Sequence, residues 1–224
     1  MTTTFEVAKF AQETNKSICK KGNFYTRVGL PGSWNLDEYD NILYAEDFEA
    51  GYGKSKFIYG NSDDDVIFGS DGDDEIFSSG DGQQDSNMGG KNLIFAGDGK
   101  DVVQGDGGDD RIYGEMGDDV LHGGHGNDTI FGGNGIDEID GGNGDDLLYG
   151  GSGADQLRGG KGSDTIDGGS GRDGISAFLG SDELIGGEGI DHFDVDFEQD
   201  AQGRFSFHRV RDFESENFSR SVRY

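Results

Sequence analysis

The chain has 224 residues, of which 31% are hydrophobic, 43 are glycine and one is proline, and its formal net charge is −28. A sequence with so few apolar side chains and so much like charge does not fold unless something neutralises the charge. The negative charge excludes nucleic acids and anionic lipid surfaces as natural partners and favours hard cations.

Residues 1–59 form an N-terminal flank that differs from the rest of the chain, with a net charge of only −1 and frequent aromatic residues. Thr3 and Glu6 have the spacing of a capping box, which predicts a helix to about Lys20. Residues 24–28 are predicted to form a strand. We expect this flank to pack on the domain that follows it.

Residues 60–194 contain 37 of the 43 glycines and carry a net charge of −26. From Gly132 the sequence reads GGNGIDEID, GGNGDDLLY, GGSGADQLR, GGKGSDTID and GGSGRDGIS, a nine-residue repeat with the pattern G-G-x-G-x-D-x-U-x, in which U is apolar. The frame extends in both directions without an insertion. Position eight is then apolar at fourteen of fifteen places, namely Ile67, Ile76, Ile94, Val103, Ile112, Leu121, Ile130, Ile139, Leu148, Leu157, Ile166, Ile175, Leu184 and Phe193, with Asp85 as the exception.

Position six of the repeat is an aspartate in thirteen nonapeptides, interrupted by Gln83 and Asn92. The frame also continues weakly back over residues 51–59, where Lys56 replaces the aspartate, so this coil is predicted to lack a metal of its own. The thirteen aspartates are Asp65, Asp74, Asp101, Asp110, Asp119, Asp128, Asp137, Asp146, Asp155, Asp164, Asp173, Asp182 and Asp191.

The repeat predicts an all-β parallel β-roll, a solenoid in which each x-U-x is a short strand and each GGxGxD is a turn. Two nonapeptides close one coil, so residues 18 apart stack on the same side, roughly 4.8 Å apart. Position-six carboxylates then face each other between adjacent turns, as Asp101 and Asp119 do. An oxygen-rich, flexible cleft of this kind suits Ca²⁺ better than Mg²⁺ or Zn²⁺.

These motifs closely resemble the RTX (haemolysin-type) nonapeptide repeats, and the resemblance covers residues 60–194. It implies a parallel β-roll with several Ca²⁺ ions between its turns, for which the thirteen aspartates are the candidate ligands. RTX proteins are exported by type I secretion. No apolar segment of signal-peptide length occurs near the N-terminus and no stretch approaches a transmembrane span, which agrees with a secreted protein exported without an N-terminal signal.

Residues 195–224 alternate apolar and polar residues and predict a hairpin that caps the open end of the roll. By the same resemblance, this region is a candidate type I secretion signal. Position nine carries aromatic residues at a spacing of 18, which predicts an outward ladder on one sheet. The ladder is either covered by residues 1–50 or a surface for a glycan or protein partner; its residues are Tyr59, Phe77, Phe95, Tyr113, Phe131 and Tyr149.

The chain has no H-E-x-x-H, G-x-S-x-G or Walker A motif, and we interpret His122 and His125 as solvated side chains. The function that fits is a non-catalytic, secreted calcium-binding protein that acts by binding or assembly. The alternatives are a small RTX toxin or signalling factor, and the detached module of a secreted RTX enzyme such as a protease, lipase or epimerase.

Overall fold

The computed structural model describes residues 41–44, 57–60, 63–79, 89–195 and 208–211, with the backbone alone at 41–44. In these ranges the chain forms strands and turns and no helix. The predicted helix before Lys20 lies outside the described residues. Of the predicted C-terminal hairpin only residues 195 and 208–211 are described, and Arg209–Val210 form a parallel strand. No helix of the described part is long and apolar enough to cross a membrane.

The described strands, numbered in chain order, form two sheets in which every pairing is parallel. The first sheet contains β1 (Asn41–Tyr44), β3 (Asp65–Phe68), β5 (Leu93–Asp98), β7 (Arg111–Met116), β9 (Thr129–Asn134), β11 (Leu147–Gly153), β13 (Thr165–Gly171), β15 (Glu183–Ile185), β16 (Glu188–Gly189) and β18 (Arg209–Val210). The second contains β2 (Phe57–Tyr59), β4 (Glu75–Phe77), β6 (Val102–Gln104), β8 (Val120–His125), β10 (Glu138–Asn143), β12 (Gln156–Lys161), β14 (Gly174–Ala177) and β17 (His192–Val195).

Successive strands alternate between the two sheets from β2 to β15, so two nonapeptides complete one coil. Ile112 pairs with Ile130 in the first sheet, and Leu121 pairs with Ile139 in the second. This spacing of 18 residues confirms the predicted parallel β-roll. The position-eight side chains of both sheets fill the space between the two sheets and are almost completely buried. Ile112, Leu121 and Ile130, for example, are 0% exposed.

The turns depend on glycine where the backbone enters the left-handed region. In the repeat that begins at Gly132, Gly133 has φ = 116° and Gly135 has φ = 137°. Side chains other than glycine rarely adopt such angles. Asp106 (φ = 63°) and Glu115 (φ = 77°) occupy the position of Gly133 in two earlier repeats, and they are the only non-glycine residues with positive φ in the described chain.

The constant nine-residue frame was wrong at one place. Ile67 pairs with Ile94 and Ile76 pairs with Val103, so both sheets shift by 27 residues instead of 18. Ser78 and Ser79 still bond to the turn at Gly105 and Asp106, so the nine additional residues lie in the sequence between Ser79 and Gly89. This stretch of the sequence contains Asp85, which in position eight would place an unpaired charge in an apolar core.

The register shift also changes the aromatic ladder. Phe68, and not Phe77, stacks on Phe95, with ring centroids 5.2 Å apart. Stacking continues along the first sheet through Tyr113, Phe131 and Tyr149 at 4.8–5.0 Å. Tyr59 and Phe77, predicted to belong to this ladder, form a separate stacked pair on the second sheet at 5.4 Å.

Both ends of the first sheet extend beyond the regular repeat. At one end β1 pairs with β3, where Asn41 lies opposite Asp65. At the other, β18 pairs with β15, where Arg209 lies opposite Glu183. Parallel strands from outside the repeat therefore cover edges of the roll that would otherwise expose unpaired backbone groups.

Candidate metal centre

The thirteen position-six aspartates are buried, and none is more than 4% exposed. Each comes directly before a strand or, for Asp65, begins one, so the alternation of strands divides them into two columns. The first column precedes strands of the first sheet and contains Asp65, Asn92, Asp110, Asp128, Asp146, Asp164 and Asp182. The second column precedes strands of the second sheet and contains Asp74, Asp101, Asp119, Asp137, Asp155, Asp173 and Asp191.

Within each column one carboxylate oxygen accepts a hydrogen bond from the preceding coil. The Asp101 N–H donates to Asp119 Oδ1 at 2.8 Å, and the Asp119 N–H donates to Asp137 Oδ1 at 2.9 Å. The pattern continues to the end of the second column, where the Asp173 N–H donates to Asp191 Oδ1 at 3.1 Å. Aspartates 18 residues apart are therefore in contact, as the sequence predicted, from Asp101 onward.

The register shift changes the contacts at the N-terminal end of both columns. The Asp74 N–H donates to Asp101 Oδ1 at 2.7 Å, and the Asp65 N–H donates to Asn92 Oδ1 at 3.0 Å, both over 27 residues. A constant frame places Asp74 beside Asn92 instead. The structure thus brings together different neighbours at this end from those the sequence indicated.

The second carboxylate oxygen has no such partner in the middle of the columns. Oδ2 is buried and without a hydrogen-bond partner in nine consecutive aspartates: Asp101, Asp110, Asp119, Asp128, Asp137, Asp146, Asp155, Asp164 and Asp173. An ionised carboxylate left unpaired in a protein interior costs several kcal/mol. These oxygen atoms therefore require a proton or a cation.

A backbone carbonyl from the next coil points into the same space. A Cβ atom on Gly132 would lie 2.5 Å from Asp137 Oδ2 and 2.6 Å from the carbonyl oxygen of Gly150. At Gly141 the corresponding distances, to Asp146 Oδ2 and the Gly159 carbonyl oxygen, are 2.4 and 2.7 Å. The glycine at position one therefore leaves open a gap into which a carboxylate and a carbonyl oxygen converge.

Burial raises the pKa of these carboxyl groups. It raises the pKa of Asp110 to about 9 and that of Asp101 to about 8, and a neighbouring carboxylate in the same column adds to both shifts. The pKa of Asp119 and that of Asp137 are raised to about 6 by the same burial. The metal-free fold therefore resists ionisation at the positions where the second oxygen atom has no partner.

Position-five aspartates in the same turns behave differently because they face solvent. Lys91 Nζ lies 2.7 Å from Asp109 Oδ2 and lowers the pKa of that carboxyl group, and Lys100 does the same to Asp118. Asp109 Oδ1 also accepts the Asn127 N–H at 3.0 Å. These carboxylates are ionised and hydrogen-bonded without a metal.

The donor atoms suit a hard divalent cation. No three His, Cys, Asp or Glu side chains converge on one point within the described ranges, so backbone carbonyl oxygens would have to complete any coordination sphere. Calcium accepts six to eight oxygen ligands, including carbonyls, whereas zinc prefers nitrogen and sulfur. His125 Nδ1 lies 3.0 Å from Asn143 Nδ2 at the end of β8 and belongs to no such cluster.

The parallel coils, their glycine turns and the buried carboxylate columns define a metal-binding β-solenoid. The chain belongs to the family of RTX calcium-binding nonapeptide repeats, which it matches over residues 57–82, 87–121, 105–139, 122–157, 140–175 and 158–193. These segments cover more than half of the chain and omit residues 83–86. No curated protein matches the chain.

Three residues that matter for the columns did not emerge as functional from the sequence. Asn92 was seen only as an interruption, yet its amide lies in the first column. The Ser70 hydroxyl donates a hydrogen bond to the Asp74 carboxylate, and the Ser78 hydroxyl donates one to the Gly105 carbonyl oxygen. Each was visible in the sequence as a departure from the repeat. Asn92 replaces aspartate at position six, Ser70 replaces glycine at position two, and Ser78 replaces glycine at position one.

Proposed function

We propose that the chain is a non-catalytic, secreted calcium-binding protein whose roll folds when Ca²⁺ enters its turns. The observation that carries this proposal is the run of nine buried carboxylate oxygen atoms without partners. Ca²⁺ between adjacent turns would supply the missing charge, with the position-six aspartates and facing carbonyl oxygens as ligands. Because those ligands come together only in the folded state, the metal's binding free energy adds directly to stability.

The decisive experiment is a calcium titration of the metal-free protein followed by far-UV circular dichroism. The β-sheet signal is expected to appear cooperatively with Ca²⁺ and to remain small at equal concentrations of Mg²⁺, which demands a tighter octahedral site. A full β-sheet signal in chelator that calcium leaves unchanged would contradict the proposal.

We propose that the side chains that face outward from the two sheets serve binding or assembly. Inward positions form the core and the turns surround the metal sites, so only the outward side chains are left for a partner. On the first sheet, however, the outward side chains of Val66, Phe68 and Leu93 are buried, with exposures of 0, 3 and 1%. This burial supports coverage of the N-terminal end of the ladder by residues 1–50.

Removing residues 1–40 tests that coverage while keeping β1. Binding of a hydrophobic dye to the calcium-loaded protein is expected to rise, because the aromatic side chains of Phe68 and Phe95 become accessible. Removal of residues 212–224 is the matched control and is expected to leave dye binding unchanged. Unchanged dye binding in the N-terminal deletion would instead favour the ladder as the surface for a glycan or protein partner.

Export through a C-terminal signal is the remaining part of the proposal. A chain that stays unfolded in the calcium-poor cytosol suits passage through a narrow channel, and it would fold outside, where calcium is plentiful. Removing residues 195–224, the candidate signal, is expected to abolish secretion by a co-expressed type I exporter. Normal secretion of that variant would oppose a C-terminal signal.

A further inference from the structure

Asn92 occupies a carboxylate position in the first column and is 1% exposed. Its Oδ1 accepts the Asp65 N–H at 3.0 Å, and its own N–H donates to Asp110 Oδ1 at 2.7 Å. Both contacts reproduce those of an aspartate in the column. The difference lies at the second side-chain atom, because Asn92 Nδ2 donates to the Gly90 carbonyl oxygen at 3.0 Å.

The orientation of the Asn92 amide follows from its partners. The Asp65 N–H needs an acceptor, which fixes Oδ1 on that side and places Nδ2 where an aspartate would carry its second oxygen. That nitrogen atom contacts a carbonyl oxygen of its own turn. An uncharged N–H group therefore stands where an aspartate would carry its second carboxylate oxygen, and it has a hydrogen-bond partner within the protein.

The adjacent turn of the second column is also completed by protein donors. Asp74 Oδ2 accepts the Ser70 N–H at 2.7 Å and the Ser70 hydroxyl at 2.9 Å. The Ser78 hydroxyl donates to the Gly105 carbonyl oxygen. Asp101 and Asp110 are the first aspartates of their columns, within the described residues, whose Oδ2 is buried without a hydrogen-bond partner.

We propose that Asn92, Ser70 and Ser78 take the place of calcium in the N-terminal coil, and that the metal sites begin at Asp101 and Asp110. This inference rests on the proposed function, since it assigns which turns of the roll bind the ion. The coil of Asp65 and Asp74 and its contact with Asn92 in the next coil are then held by amide and hydroxyl hydrogen bonds, and they offer the first calcium-dependent coil a surface that forms without metal.

The test is Asn92→Asp, compared with Asn127→Asp as a matched control. Asn127 is an exposed turn residue whose Oδ1 accepts the Asp145 N–H at 2.8 Å, so its substitution adds the same charge and keeps the same type of backbone contact. Equilibrium dialysis against ⁴⁵Ca²⁺ measures the ions bound per chain. Asn92→Asp is expected to bind one more ion than the wild type, and Asn127→Asp the same number as the wild type.

An unchanged ion count in a folded Asn92→Asp protein overturns the inference, as does an equal gain in both variants. If Asn92→Asp does not fold in saturating calcium, the reciprocal variant Asp128→Asn decides. It installs the amide two positions further along the same column and is expected to lose at least one ion; an unchanged count overturns the inference. A wild-type chain that binds no calcium would reject the proposed function itself, which separates the two failures.

Discussion

His208 Nδ1 lies 2.8 Å from Asp182 Oδ2, and both side chains are buried, with exposures of 2 and 0%. Asp182 is the last aspartate of the first column, and β18 brings His208 beside it from outside the repeat. In Asp110, Asp128, Asp146 and Asp164 of the same column Oδ2 has no hydrogen-bond partner, whereas here it meets a protein nitrogen atom. The C-terminal end of the first column is therefore closed by the side-chain nitrogen of His208.

Replacing His208 by leucine is expected to destabilise the calcium-loaded protein by about 3 kcal/mol or more, because it leaves the Asp182 carboxylate buried and unpaired. Urea denaturation in saturating calcium measures the change. The control is Arg209→Leu, which alters the exposed residue that directly follows His208 and is expected to shift stability by less than about 0.5 kcal/mol. Equal losses of unfolding free energy in the two variants would show that the contact between His208 and Asp182 has no special stabilising role.

The pH dependence of the metal-free protein should be opposite to ordinary acid denaturation. The nine position-six carboxyl groups from Asp101 to Asp173 have pKa values raised to between about 6 and about 9, against about 3.9 in the unfolded chain. The folded state therefore binds more protons, and its stability falls as pH rises. The stabilising contribution is fully present below about pH 4 and is lost as pH rises through the folded pKa values.

Circular dichroism in chelator should accordingly show β-sheet signal increasing as pH is lowered from 9 to 5. In saturating calcium the trend is expected to reverse, since protons compete with the ion for the same oxygen atoms. A metal-free protein that loses structure on acidification would show that the carboxyl groups are not buried as the structure places them.

The repeat in the sequence was sufficient to predict the roll, its core and the contacts between aspartates 18 residues apart. The prediction from the repeat failed near the one nonapeptide that has no apolar residue at the inward-facing position eight. Asp85 was visible as an exception in the sequence, but the regular frame on both sides concealed the offset of 27 residues between the paired strands. The misplacement of Tyr59 and Phe77 in the aromatic ladder follows from that single error.

The details of the columns could not be obtained from periodicity. Which carboxylate oxygen accepts the backbone N–H, and which faces the carbonyl of the next coil, depends on side-chain torsions within the turn. The replacement of a cation by the Asn92 amide likewise depends on the position of the Gly90 carbonyl. Sequence periodicity fixes which residues are neighbours but not which of their atoms meet.

Asp137→Ala tests the second column at its centre. Asp137 Oδ1 accepts the Asp119 N–H, and the Asp137 N–H donates to Asp155 Oδ1 at 2.9 Å, so the side chain lies between two coils. The variant is expected to lose ions from the sites shared with Asp119 and Asp155, measured by calcium calorimetry. Glu138→Ala removes the same charge from the exposed neighbouring residue and is expected to keep the full ion count. An unchanged count in Asp137→Ala would refute the assignment.

Glu115→Gly is expected to stabilise the calcium-loaded roll. Glu115 holds φ = 77° at a turn position where glycine is the usual residue, and a left-handed backbone costs a side chain about 1 kcal/mol. Burial and the nearby Asp98 also raise the pKa of Glu115 to about 7, so removing its carboxyl group relieves a second unfavourable contribution.

Glu115→Gln separates the two effects, because it removes the charge and keeps the strained backbone. Thermal denaturation in calcium should therefore rank the melting temperatures glycine above glutamine, and glutamine above the wild type. A glycine variant no more stable than the glutamine variant would show that the backbone conformation at Glu115 carries no strain.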